Sequence, residues 1–273
     1  MIRKMLLAAV ALAPFAAMAA ELPASIRAKG TMVVANVPNY PPMEMKDPAT
    51  GKLVGFDIDL GEAIAKRLGL TIQWQETSFD QMIASLRTGR VDVILSGMSD
   101  KPDRRGVADF VDYLRSGSQV FTQARRAGEL NTLESLCGRS VGASRRTNFV
   151  VVLKEWSDAN CVAKGKPAIN VIGTEGSADA RTQLRQGRID AAMQGGETLP
   201  YIMAQEPNTY ALVGEPMGYT LMGIATNKEQ PAMQAAIAEA LKALVADGTY
   251  AALLKKWSLD ASGITEVTVN AGE

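Results

Sequence analysis

The run Ser96-Gly97-Met98-Ser99-Asp100-Lys101-Pro102-Asp103-Arg104 gathers the residue types that hold a small anion. Free backbone N–H groups at a strand end, a serine hydroxyl and the planar fork of an arginine all donate hydrogen bonds to a carboxylate or phosphate. The apolar stretch Val91-Asp92-Val93-Ile94-Leu95 before it reads as a buried strand. Pro102 suits the first position of a helix and Asp103 its first turn, so a strand-to-helix junction facing a crevice is expected. The same residues also fit an ordinary loop with a solvated arginine, and their context decides between the two.

Composition narrows the chemistry. The 273 residues include no histidine, which removes Ser-His-Asp and Cys-His catalysis and the commonest neutral metal ligand. No cofactor and no metal are expected. Cys137 and Cys161 lack partners for a metal site and most simply form one structural disulfide in an exported chain. Export is expected because Arg3 and Lys4 precede an apolar run over residues 5–16 and the small-residue site Ala17-Met18-Ala19. The leader is expected over residues 1–19, and its apolar run is too short to span a membrane. The chain carries 29 basic and 29 acidic residues. Removing Arg3 and Lys4 from the basic set leaves 27 against 29, with no excess to attract nucleic acid.

The elements around the anion-binding run follow from periodicity and punctuation. A strand over 31–36 ends at Pro38-Asn39-Tyr40-Pro41-Pro42, where three prolines forbid helix and sheet interior. Tyr40 is therefore presented on a stiff loop, as a ligand contact or as an aromatic lid over the core. After a hairpin, a helix from Asp57 carries Leu60, Ile64 and Leu68 on one face and stops at Gly69. A strand over 71–76 leads to a helix capped by Ser78, with Phe79, Met82, Ile83 and Leu86 inward. Strand, helix, strand, helix, strand implies right-handed crossovers and a mostly parallel sheet. Ligands bind beyond the carboxyl ends of such strands, where Tyr40, Phe79 and Ser96 to Arg104 all stand.

A second alternation begins near Cys137, with strands at 140–143, 169–172 and 191–193 and helices at 148–156, 177–185 and 199–204. Leu86-Arg87-Thr88-Gly89-Arg90-Val91-Asp92 is answered by Leu184-Arg185-Gln186-Gly187-Arg188-Ile189-Asp190, an internal repeat that supports a second lobe. The strands that follow finish at Ser96-Gly97 and Gln194-Gly195. Extended stretches near 118–122 and 214–225 would connect the lobes. Helices at 231–245 and 249–257 place Met233, Ile237, Leu241, Tyr250, Leu254 and Trp257 in the core. Two lobes and two connections describe a hinged cleft.

With its motifs assembled, the chain resembles the periplasmic amino-acid-binding proteins of ABC importers, bacterial solute-binding family 3. The resemblance rests on Tyr40-Pro41-Pro42-Met43-Glu44, Leu53-Val54-Gly55-Phe56-Asp57-Ile58-Asp59-Leu60, Ser96-Gly97-Met98-Ser99 with Arg104, Gly187-Arg188-Ile189-Asp190-Ala191, and Ala246-Asp247-Gly248-Thr249-Tyr250. It implies an α/β, type II periplasmic-binding fold: a first lobe over 26–115 and 220–265, a second over 120–213, and hinge crossings at 116–119 and 214–219. It implies a monomer that captures an amino acid or related carboxylate and docks on a membrane permease. By motif position Tyr40 and Phe79 would flank the ligand, Ser96, Gly97 and Ser99 would bond its polar head, and Arg104 would clamp its α-carboxylate.

The second lobe departs from that pattern. Where the family has Gly-Thr-Thr, this chain has Arg146-Thr147-Asn148, and where it has an aspartate for the ligand's α-ammonium, this chain has Gly195. A buried ammonium without a counter-charge costs several kcal/mol. Two outcomes are expected: Glu197 reaches in as the replacement, or the ligand is anionic, drawn by an added cation and a missing carboxylate. A cyclohexadienyl dehydratase-like enzyme on the same fold is the competing function, with Glu197 as its general acid. A third is a partner that presents its ligand to a sensor.

Overall fold

The computed structural model describes residues 21–145 and 147–273. The leader expected over 1–19 and the expected site residue Arg146 lie outside the described residues. In chain order the elements are α1 (Ala24–Lys29), β1 (Thr31–Asn36), β2 (Asn39–Tyr40), β3 (Glu44–Lys46), β4 (Leu53–Val54), α2 (Phe56–Arg67), β5 (Thr71–Glu76), α3 (Met82–Arg87), β6 (Val93–Ile94) and β7 (Ala108–Gln123). Then come β8 (Ser140–Ser144), α4 (Asn148–Asn160), β9 (Asn170–Thr174), α5 (Ser177–Arg185), β10 (Ala191–Gly195), α6 (Leu199–Gln205), β11 (Tyr210–Val213), β12 (Tyr219–Asn227), α7 (Pro231–Ala246) and α8 (Thr249–Lys256).

One curled sheet in the order β5-β1-β6-β12-β7-β10-β8-β9 runs through the molecule, with β11 also on β7. In each half three strands pair in parallel: β5, β1 and β6 in the first, β9, β8 and β10 in the second. Strand β7 joins the halves. Its first part pairs antiparallel with β12, and residues 118–123 pair with β10 and β11. The expected crossing 116–119 thus lies inside a continuous strand. The other crossing is a bend over 214–218 that delivers β12.

Each half buries its own apolar face, the chief source of stability at roughly 1.5–3 kcal/mol per large side chain. Phe56, Leu60, Tyr113, Ile237, Leu241 and Tyr250 pack together in the first half. Val141, Phe149, Leu153, Met193 and Val213 do so in the second, where Cys137 and Cys161 are joined as a disulfide.

The internal repeat has a structural counterpart. Gly89 and Gly187 end α3 and α5 with φ of 69° and 70°, the left-handed conformation that stops a helix at little cost to glycine. Three residues on, the Asp92 carboxylate accepts from the Val33 N–H at 2.8 Å, and that of Asp190 accepts from the Ser140 N–H at 2.8 Å. Each aspartate therefore locks the strand after a helix onto the neighbouring strand.

One expectation fails. No helix follows Pro102: residues 102–107 are successive turns before β7 begins at Ala108. The fully buried Asp100 is held by the guanidinium fork of Arg105 at 2.8 and 2.9 Å, and this folds the segment back on itself where a helix would have to extend it.

Candidate functional site

A cavity of about 160 Å³ lies between the two halves. The first half contributes Tyr40, Glu44, Phe79, Ser96, Gly97, Ser99 and Arg104 to its walls, and the second contributes Ser144, Thr147, Asn148, Glu175, Gly176 and Ser177. Strand ends and helix starts position nearly all of them, as a parallel sheet dictates.

Arg104 dominates the first wall. Its Nη1 donates to the Ser99 carbonyl at 2.7 Å, and its guanidinium carbon lies 5.7 Å from the Phe79 ring centroid. Among the described residues it forms no ion pair, and burial pushes its pKa down. The nearby Asp103 and Asp100 carboxylates offset part of that desolvation, and the guanidinium lines the cavity.

The Ser96-Gly97 turn is gripped from below. Asp57 accepts from the Gly97 N–H at 2.9 Å and from the Tyr113 hydroxyl at 2.9 Å, while Ser96 donates to Glu44 at 2.7 Å. The expected ligand bond from the Gly97 N–H is therefore replaced by one to Asp57. Glu44 Oε2 is buried with no donor facing it, and the two carboxyls influence one another. Burial and then Asp57 push Glu44 well up, and burial raises Asp57 to about 6. Burial beside a second carboxyl therefore favours the protonated form of Glu44.

Two helix N-termini face the cavity from the second half. Thr147 and Asn148 open the 13-residue α4, and Gly176 and Ser177 open α5. First-turn N–H groups have no intrahelical acceptor and carry partial positive charge. Glu175, the acid on this wall, is ion-paired with Arg145. Ser99 Oγ and Asn148 Oδ1 meet across the cleft at 3.5 Å, the outer limit of a hydrogen bond.

Glu197 does not stand in the cavity wall. Tyr40 Oη donates to its Oε1 at 2.8 Å and Ser116 Oγ to its Oε2 at 2.6 Å. Burial raises its pKa. It lines instead a pocket of about 290 Å³ at the crossings, with Arg115, Gln119 and Tyr219. The Gly195 N–H donates to Tyr40 Oη at 3.2 Å. A Cβ on Gly195 would fall on the Glu197 carboxylate and the Tyr40 hydroxyl. The space an aspartate at 195 would fill thus holds a carboxylate from 197, turned to bind the opposite half.

Of the eleven ligand-binding residues the sequence named, the fold gathers Tyr40, Phe79, Ser96, Gly97, Ser99, Arg104, Thr147 and Asn148 around one cavity, while Gly195 and Glu197 do not line it and Arg146 lies outside the described residues. Sequence reasoning missed Glu44, though the motif that ends in it had been singled out. It also missed Gly176 and Ser177, which the repeat could have revealed: Ser177 follows Phe79 by the same 98 positions that separate Gly97 from Gly195.

A cavity between two sheet halves, walled by paired strand ends, defines a cleft protein that binds a small solute. The family model for bacterial extracellular solute-binding proteins, family 3, matches residues 32–260. The chain belongs to that family. The Arginine-binding protein ArgT of Corynebacterium glutamicum is 28% identical over 92% of this chain and 82% of its own length. An ancestral arginine-binding protein bound to glutamine superposes with a TM-score of 0.75 at 31% identity, covering 84% of this chain and 98% of that one. An ancestral amino acid-binding protein, a precursor of cyclohexadienyl dehydratase, gives a TM-score of 0.74 at 28% identity, covering 85% and 97%. The fold is the type II periplasmic-binding fold.

Proposed function

We propose that the protein captures an amino acid or related small carboxylate in the periplasm, as a monomer, and delivers it to an ABC permease. We propose further that it prefers a ligand of net negative charge. The observation that carries both is the electrostatic character of the cavity. Arg104 and the N-termini of α4 and α5 face it, its acid Glu175 is ion-paired with Arg145, and burial and Asp57 shift Glu44 toward its protonated form. A carboxylate on Arg104 gains charge-assisted hydrogen bonds strengthened by the exclusion of water. Ligand and closed cleft stabilise one another, and the permease would read the closed form.

A thermal-shift screen over plain amino acids, dicarboxylates and acidic amino-acid conjugates tests this, since each true ligand raises the melting temperature. Calorimetric titration of the hits should show dicarboxylates or conjugates ahead of neutral amino acids. Tight binding of an unmodified neutral amino acid, abolished in Glu197→Ala, would overturn the charge preference and make Glu197 the ammonium partner.

Dehydratase chemistry is the competing reading, favoured by the likeness to a dehydratase precursor. Its sequence candidate for general acid, Glu197, is held by Tyr40 and Ser116, which supports binding over catalysis. Incubation with prephenate or arogenate is expected to release neither phenylpyruvate nor phenylalanine.

A further inference from the structure

Residues 268–272 lie beyond the stretch matched by the family model, which ends at 260, and they are stitched to the first half at every step. Thr268 Oγ1 donates to Asp112 at 2.7 Å, and the Asp112 N–H donates to the Thr268 carbonyl at 2.9 Å. Val269 bridges Val111 in antiparallel fashion. Asn270 accepts from the Phe110 N–H at 2.8 Å, donates its own N–H to the Phe110 carbonyl at 3.0 Å, and reaches Asp109 at 2.9 Å. The Gly272 N–H then donates to Asp100 Oδ2 at 2.7 Å, and Arg105 donates to the Gly272 carbonyl.

The last contact is the informative one. Asp100 is fully buried, and its two oxygens also take the Arg105 fork. Its neighbour Ser99 supplies the carbonyl that fixes Arg104. Gly272 is itself buried, and a Cβ there would run into the Asp100 carbonyl oxygen. Backbone meets backbone, then, directly behind the turn that carries Arg104.

We propose that residues 268–272 form a strap that holds the Ser99–Arg105 turn, and through it the Arg104 guanidinium, in its ligand-gripping position. Gly272 and Asp100 are positioning residues: they touch no ligand and act through Arg104. The link to affinity rests on the reading of Arg104 as the carboxylate partner, but the strap itself does not.

The test is Gly272→Ala in the full chain, with Glu273→Ala as a neighbour that leaves the strap in place. Hydrogen exchange is measured without ligand. Amides of residues 99–107 are expected to exchange at least tenfold faster in Gly272→Ala, while those of β8 and β9 and the urea midpoint stay near wild type. Phenylglyoxal modification, mapped by peptide mass, supplies a second readout that a general loss of stability would not produce. Arg104 should react several-fold faster in the variant, and Arg181, a desolvated guanidinium of the second half, at its wild-type rate. Unchanged exchange at 99–107, or equal acceleration of Arg104 and Arg181, overturns the strap. If Arg104→Ala retains full affinity for the compounds found in the screen, the reading of Arg104 has failed instead, and the exchange data still decide the strap.

Discussion

The two halves share a frame and diverge at its tip. In both, a helix stops at a left-handed glycine, an aspartate locks the next strand to its neighbour, and the strand ends at a glycine beside Tyr40. Gly97 has φ of 52°, and its N–H is turned inward to Asp57 of its own half. Gly195 has an ordinary φ of −62°, and its N–H crosses to Tyr40 of the other half. The first is glycine for its backbone, the second for the space it leaves. That difference divides the labour: the first half turns Arg104 to the cavity, and the second supplies helix N-termini and a carboxylate that binds the first half.

Arg104 gives this comparison its largest expected effect. Removing two charge-assisted hydrogen bonds, each worth roughly 1.5–3 kcal/mol, should weaken carboxylate binding by at least a hundredfold in Arg104→Met. The free protein should be as stable as wild type or slightly more so, because a desolvated cation is lost. Titration and thermal melts of the same variant measure both. A variant that keeps its affinity would place the ligand's grip in the second half.

The two glycines should respond differently to the same methyl group. Gly97→Ala pays for a left-handed backbone, about 1 kcal/mol, and for crowding the Tyr40 ring at 3.1 Å. Gly195→Ala has no backbone cost and acts by overpacking, typically 1–3 kcal/mol, and by parting Tyr40 from Glu197. Adding Glu197→Ala should therefore recover most of the loss in Gly195→Ala and none in Gly97→Ala. Urea denaturation of the two double variants against their singles reads the difference. Equal recovery in both would mean that the two tips are glycine for one reason.

Much of this was written in the sequence because it is local. Helix stops, the repeat and the strand ends come from short-range patterns, and they placed Tyr40, Phe79 and Ser96 to Arg104 at one end of the sheet, while Thr147 and Asn148 came only from the family resemblance. Ser177 was equally local, one repeat after Phe79. What stayed hidden depends on chain segments far apart. Tyr40 and Glu197 meet across 157 positions. Ser96 and Glu44 meet across 52, so the ionisation of Glu44 is set by folding and not by its neighbours in the chain. The turn after Pro102 was misread for the same reason: its proline and aspartate suit a helix start, but the Asp100–Arg105 pair and the contact from Gly272 decide its shape.

The buried carboxyls Asp57 and Glu44 beneath Gly97 separate the halves more finely, since no such pair supports Gly195 among the described residues. Asp57 titrates near 6 in the fold, against about 3.9 in an unfolded chain. A raised carboxyl pKa means that the folded state binds the proton more tightly, so its contribution is complete below about pH 4 and is lost as pH rises through about 6. Glu44 is raised in the same direction and adds to the decline. Glu44→Gln keeps a donor toward Asp57 and has no proton to lose. Its stability should fall less with pH than that of wild type, the two curves diverging by on the order of 1–2 kcal/mol between about pH 5 and 8. Urea midpoints across that range, with hydrogen exchange at the Gly97 amide, locate the effect. Parallel curves would mean that Glu44 is a charged acid in the cavity. A ligand ammonium would then have a partner in the first half, and the preference for an anion would fall with it.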